Sequence, residues 1–202
     1  IYTGGTTGRP KGVIHTHRVQ VAMVMHELAE WDWPAQIRHL AMTPITHAAG
    51  VMILPIMLRS GTFVMAKGFD AQRFFDLVER HRITSTFLVP TMLAMLLEDP
   101  ALPGADLRFE TISYGASPIA ESVLRRAEAR FGKIFAQTYG QAESPMVITC
   151  LKPDEHDRVG SCGRPFTIVD VAILDDDDNE VPVGETGEIC CRGPQTMDYY
   201  WN

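Results

Sequence analysis

Apolar positions recur along this chain at helical spacing in some stretches and in short continuous runs in others. Val13 to Trp31 mixes apolar and polar residues so that Val21, Val24, Met25 and Leu28 share one side of an expected helix. Asp70 stands where a helix N-cap belongs, and a helix through Arg82 turns Phe74, Leu77 and Val78 inward. Ile83 to Val89 then reads as a buried strand, and Pro90 opens a helix over Met92 to Leu97 that Pro100 and Pro103 close. Ser117-Pro118 repeats the cap-then-proline signature for a helix to about Phe131, with Val123, Leu124 and Ala127 inward. Lys133 to Thr138 follows as a strand.

Strands alternating with helices imply an α/β fold, a mainly parallel sheet flanked by helices. From Gly160 the pattern changes: Val169 to Leu174 and Gly187 to Arg192 are short strands joined by an acidic turn segment, as at the start of a β-rich lobe. The expected division is an α/β subdomain over residues 1–157 and a β-rich subdomain over residues 158–202. Only Ile1 and Tyr2 precede a glycine-rich loop that normally needs a strand before it, so both subdomains are read as parts of something longer.

Composition narrows the partners. With 46% hydrophobic residues in 202, the chain can bury a core. A formal net charge of −7, with 18 dispersed Lys and Arg, argues against nucleic acid as the main partner. No apolar run approaches the roughly 20 residues of a transmembrane span and no signal peptide opens the sequence, so a cytoplasmic address is expected. The pattern does not fix an oligomeric state. Cys150, Cys162, Cys190 and Cys191 form no CxxC pair, which points to free thiols. Asp175 to Asp178 lacks the glycine and glutamate that an EF-hand loop requires and reads as a solvated hairpin turn.

The densest chemistry is in Tyr2-Thr3-Gly4-Gly5-Thr6-Thr7-Gly8-Arg9-Pro10-Lys11-Gly12. Glycines let backbone N–H groups converge on an anion, Thr6 and Thr7 add hydroxyl donors, and Lys11 adds charge. Gly8 is followed by Arg-Pro-Lys-Gly, so the loop is not a Walker A loop. It is suited to a polyphosphate. Gly115-Ala116-Ser117-Pro118 reads as a tight turn before a helix N-terminus, which offers backbone groups to a ligand. Glu143, in Tyr139-Gly140-Gln141-Ala142-Glu143, reads by itself as a surface charge.

The opening segment closely resembles the phosphate-binding signature of the adenylate-forming superfamily, usually Tyr-Thr-Ser-Gly-Thr-Thr-Gly-x-Pro-Lys-Gly. Further segments resemble that family in its own order: Gly115-Ala116-Ser117-Pro118, Tyr139 to Glu143, and Pro44-Ile45-Thr46-His47. Gly160 to Pro165 and Gly187 to Pro194 resemble two later segments that shape the β lobe. The resemblance implies an ATP-dependent acyl-CoA synthetase using Mg2+ and CoA, which makes acyl-AMP from a carboxylic acid. It implies Lys11 and Glu143 as the catalytic pair; Thr3, Gly5, Thr6, Thr7, Gly8 and Lys11 for the phosphates; and Gly115, Ala116, Ser117, Tyr139, Gly140 and Gln141 for the nucleotide. It further implies His47 and Tyr114 at the acyl group, and Glu143 with Thr7 at Mg2+. The uncharged stretch from Thr46 to Leu54 favours a fatty or aromatic acid over an amino acid. Carrier-protein loading and a non-catalytic nucleotide module are the alternatives.

Two departures stand out. Gly4 takes the place of the usual serine and Ala142 that of the usual threonine, which removes two hydroxyls from the expected phosphate site. The family's ribose-binding Asp, hinge and late catalytic lysine all follow segments of this kind, and none of them is in this sequence. The 202 residues alone are therefore expected to be inactive.

Overall fold

A computed structural model describes residues 1–4, 9–158 and 160–201. The first two strands, β1 (Tyr2–Thr3) and β2 (Lys11–Ile14), form a hairpin that brackets the glycine-rich loop. Next come α1 (His17–Glu30), β3 (Arg38–Ala41), α2 (Ala48–Val51), α3 (Ile53–Leu58) and β4 (Thr62–Met65). The central repeats are α4 (Ala71–His81), β5 (Ser85–Leu88), α5 (Pro90–Glu98), β6 (Thr111–Gly115), α6 (Glu121–Phe131) and β7 (Phe135–Gln141). The chain then turns back through β8 (Ser144–Leu151), β9 (Arg164–Pro165), β10 (Asp170–Leu174), β11 (Glu188–Arg192) and β12 (Tyr199–Trp201).

Seven strands make the main sheet in the order β4-β3-β5-β6-β7-β8-β9. The first five are mutually parallel, and β8 and β9 join antiparallel at one side. The expected α/β class, mainly parallel and flanked by helices, is what the chain forms. On one face α4, α5 and α6 bury Phe74, Val78, Leu93, Leu96, Leu124 and Ala127 against Leu40, Leu88 and Ile112. On the other face α1 and α2 pack on β8, and α3 packs against α1 and β4. β5, β6 and β8 are buried along their whole length, as strands covered on both faces must be.

Local signals hold well where a cap and an amphipathic face agree. Asp70 accepts a hydrogen bond from the Arg73 N–H at 2.8 Å, and Pro90 opens α5. Two expectations need correction. Helix α1 begins at His17, because Lys11 to Ile14 is taken into β2, and it buries Val19, Met23, Val24, His26 and Glu27 while Val21 and Met25 stay exposed. Ser117 caps no helix: α6 starts at Glu121 behind an extended Ala120, and residues 117–120 run as non-helical chain.

β10 and β11 pair antiparallel as a separate two-stranded ribbon. Two other pairings tie the later residues to earlier ones. β9 extends the main sheet through β8, and β12 pairs with β2, with Tyr200 opposite Val13.

Candidate active site

In open α/β sheets the backbone opens at the carboxyl ends of the strands, where loops leave and ligands bind. Here a cavity of about 300 Å3 lies at the ends of β6 and β7, walled by Gly115, Ala116, Ser117, Thr138, Tyr139 and Gly140. Its other walls include Tyr114, Gln137, His156, Arg158 and Cys162. The turn after β6 is built by steric necessity. A Cβ at Gly115 would lie 2.3 Å from the Thr138 carbonyl, and Ala116 adopts φ 68°, in the left-handed region that side chains disfavour. Strain of this kind collects at ligand sites. Gly140 is equally constrained, since its Cβ would meet the Met146 amide at 2.1 Å, beside an irregularity in the β7–β8 pairing.

Beneath the cavity Tyr114 is fully buried. Its hydroxyl lies 3.1 Å from both Gln137 Oε1 and His156 Nε2. Burial lowers the His156 pKa, and its Nδ1 lies 2.8 Å from the Lys152 carbonyl, which can only accept. The ring is therefore neutral, with its proton on Nδ1, and Nε2 is a second acceptor, beside Gln137 Oε1, for the single phenolic proton. Burial also raises the Tyr114 pKa, so the phenol stays a donor. At the rim, Gln141 Nε2 donates to the Tyr139 hydroxyl at 2.9 Å.

Ala142 and Glu143 form the two-residue turn between β7 and β8. Three contacts fasten that turn from elsewhere in the chain. His15 Nε2 donates to the Ala142 carbonyl at 2.7 Å, the Met197 N–H donates to the Glu143 carbonyl at 2.8 Å, and the Tyr200 hydroxyl donates to Glu143 Oε1 at 2.7 Å. His15 has its pKa lowered by burial, so it bonds as the neutral ring. Lys11 Nζ sits 5.2 Å from the centroid of the same Tyr200 ring. The loop lysine and the turn carboxylate, 132 residues apart in sequence, thus meet across one tyrosine.

The remaining expected residues divide. Thr3 is half-buried and pairs with Lys11 in the β1–β2 hairpin. Gly5, Thr6, Thr7 and Gly8 lie outside the described residues. His47 is exposed at the N-terminus of α2 and is not part of the cavity wall. It does follow β3, at the place where the strand order reverses between β4-β3 and β3-β5. His156, Arg158 and Tyr200 belong to no motif in the sequence, while His15 follows the glycine-rich loop and Cys162 lies within Gly160 to Pro165 with no site role expected of either. The Tyr199-Tyr200-Trp201 cluster, three aromatic residues that all pair with β2, is the one hint of the Tyr200 contact in the sequence.

The fold is that of an open α/β domain with a cavity at the strand ends of β6 and β7, and with the β1–β2 hairpin joined through Tyr200 to the turn that follows β7. A family model described as AMP-binding enzyme matches residues 1–201, and the chain belongs to that family. It is 47% identical over 204 residues to the medium/long-chain-fatty-acid–CoA ligase FadD8 of Mycobacterium tuberculosis, covering 100% of this chain and 36% of that protein. Among solved structures, the amide bond synthetase McbA from Marinactinospora thermotolerans superposes with a TM-score of 0.92 at 35% identity, covering 99% of this chain and 41% of McbA. The o-succinylbenzoate CoA synthetase MenE of Bacillus subtilis, in complex with ATP and magnesium ion, gives 0.89 at 28% identity, covering 100% of this chain and 42% of MenE. The chain thus spans well under half the length of each of these relatives. Among the described residues no helix is long and apolar enough to cross a membrane.

Proposed function

We propose that the full-length protein containing these residues is an AMP-forming acid–thiol ligase, which activates a carboxylic acid with ATP and passes the acyl group to CoA. The observation that carries this reading is the meeting of Lys11 and Glu143 across Tyr200, at the turn that follows β7, the strand whose end also walls the cavity. Adenine is assigned to the cavity between the Gly115-Ala116-Ser117 turn and Tyr139. The phosphates are assigned to Lys11, Thr3 and the loop of Gly5, Thr6, Thr7 and Gly8. Glu143, with Thr7, is assigned to Mg2+.

The donor set fits that cation. Mg2+ is commonly held by one or two carboxylates together with substrate phosphates. Glu143 is half-buried, one of its oxygens is oriented by Tyr200, and no described residue donates a hydrogen bond to the other. When bound, Mg2+ supplies charge neutralisation on the phosphate oxygens.

In the first step a carboxylate oxygen attacks the α-phosphorus, the bond to the bridging oxygen breaks, and pyrophosphate leaves with that electron pair. In the second the CoA sulfur attacks the acyl carbonyl, the thioester forms with loss of the thiol proton, and AMP departs. The chain's part in the first step is alignment and electrostatics, with the cation of Lys11 held at the loop and the base fixed in the cavity. His47 and Tyr114 are assigned to the acid side. A fatty or aromatic acid is the favoured substrate, on the uncharged stretch from Thr46 to Leu54 and on the 47% identity to a fatty-acid–CoA ligase.

The test is ATP–pyrophosphate exchange by the full-length protein over a panel of carboxylic acids. Exchange that needs both Mg2+ and a fatty or aromatic acid, followed by thioester formation with CoA, is expected. Exchange without any thioester would favour another acceptor, such as a carrier protein, and no exchange with any acid would leave a nucleotide-binding module.

A further inference from the structure

Tyr200 lies outside every motif that draws attention to the site, yet it touches both charged groups at its centre. Its hydroxyl donates to Glu143 Oε1 at 2.7 Å, and Lys11 Nζ stands over its ring, 5.2 Å from the centroid. Its backbone is held in β12, where it pairs with Val13 two residues from Lys11. The segment leading to it is anchored as well: Gln195 is fully buried, its Nε2 lies 3.1 Å from the Ser144 hydroxyl, and the Met197 N–H reaches the Glu143 carbonyl. Residues 195–200 therefore run from the carboxylate turn to the strand that carries the lysine.

An interposed phenol has a physical consequence. A lysine and a carboxylate left facing each other would pair, and each would have to be freed before it could bind phosphate or cation. Lys11 and Glu143 make no ion pair with each other; the ring between them meets the cation with its π-face and the carboxylate with its hydroxyl. Donation to one oxygen also fixes the rotation of the carboxylate and points the other oxygen elsewhere. Hydrogen-bonded partners of metal-binding carboxylates act in this way, and their removal typically weakens metal binding by about 10- to 100-fold.

We propose that Tyr200 is a positioning residue of the ligase site, which orients the Glu143 carboxylate for a divalent cation and keeps it from pairing with Lys11. This rests on the assignment of Glu143 to Mg2+ made above.

The test uses the full-length protein with α,β-methylene-ATP, and reads Mn2+ binding by electron paramagnetic resonance. Tyr200→Phe keeps the ring and removes the hydroxyl. It is expected to weaken Mn2+ about 10-fold, while metal-free binding of the analogue stays within about twofold, since the ring over Lys11 is unchanged. Glu143→Gln is expected to weaken Mn2+ at least as much. If Glu143→Gln weakens the cation and a folded Tyr200→Phe does not, the role of Tyr200 is overturned and that of Glu143 stands. If neither variant changes Mn2+ binding, both assignments fall. Thermal midpoints separate these outcomes from misfolding. Should Tyr200→Phe prove unstable, Tyr200→Trp serves as the second variant: it keeps an aromatic face and moves the donor, and unchanged Mn2+ binding there would also overturn the proposal.

Discussion

Gly115 and Thr138 are so close across the β6–β7 ladder that a Cβ on the glycine would sit 2.3 Å from the threonine carbonyl. No side-chain rotation relieves a contact with backbone, so any larger residue must push the two strands apart where the cavity forms. Gly115→Ala is expected to destabilise the fold by about 1–3 kcal/mol, the usual cost of forcing extra volume into a packed site. It should also weaken nucleotide binding, because the adjacent Ala116 turn moves with the strand. Denaturant unfolding and titration with a fluorescent ATP analogue measure the two effects, and unchanged nucleotide binding would detach the turn from the site.

Gly4 is the opposite case, for nothing lies within 4 Å of a Cβ placed there. Gly4→Ser therefore adds the hydroxyl usual at this position in the family without a steric cost from the described residues. Ala142→Thr adds the family's other usual hydroxyl, at the turn that His15 and Tyr200 hold in place. A hydrogen bond to a charged group contributes roughly 1.5–3 kcal/mol, and about 1.4 kcal/mol is a tenfold change in affinity. Each substitution is expected to tighten ATP binding about tenfold in calorimetric titration. Equal affinities for the parent and both variants would show that neither position faces the phosphates.

Tyr114 combines two demands on one side chain: it is fully buried, and its hydroxyl serves both Gln137 and His156. Tyr114→Phe removes the one proton that Gln137 Oε1 and His156 Nε2 share, at a cost of about 1–3 kcal/mol. A matching fall in unfolding free energy is expected. If the residue also borders the acid, the KM for the acid should rise severalfold while ATP affinity stays within about twofold. An unchanged acid KM would leave Tyr114 as support for the cavity floor.

The elements legible in the sequence are those in which several local signals agree. Asp70, the apolar stripe of Phe74 and Val78, and the Pro90 start all specify structure within a few residues, and α4, β5 and α5 form accordingly. β8 gave no such signal. It is buried on both faces, so it lacks alternation, and Pro145 breaks what would otherwise read as a strand. Ser117-Pro118 carried a good cap signature that tertiary structure overrode, because the approach of Gly115 to Thr138 and the left-handed Ala116 send the chain through a wide turn before α6. Part of the candidate site draws attention in the sequence because Lys11, Tyr139 and Glu143 lie in recognisable runs. Tyr200 was not, since its contacts depend on the pairing of β12 with β2, which joins residues nearly 190 positions apart and which no local pattern encodes.

Two buried ionisable groups set opposite pH limits on the fold. His39 is fully buried, its Nδ1 3.0 Å from the Ser85 hydroxyl, and burial pulls its pKa down to about 3 from 6.5. Glu27 is likewise fully buried, with no described partner for either carboxylate oxygen, and burial raises its pKa well above 4.5. Below pH 6.5 the unfolded chain protonates this histidine while the folded chain does not, so stability falls with acid by up to about 1.4 kcal/mol per pH unit. Above pH 4.5 the unfolded chain ionises the glutamate while the folded chain keeps it protonated, so stability falls with base. The Glu27 slope opposes that of His39, which the lowered His15, His26 and His156 reinforce, so the decline with acid below pH 6.5 persists and is only reduced by Glu27 above pH 4.5. Glu27→Gln keeps the neutral shape and is expected to flatten the alkaline decline, making the variant more stable than the parent at pH 8 and nearly equal to it at pH 4.5. His39→Gln should flatten the acid decline instead. Urea unfolding from pH 4 to 8 on all three proteins checks both slopes, and a parallel offset of the Glu27→Gln curve at every pH would mean that Glu27 is already ionised in the folded chain.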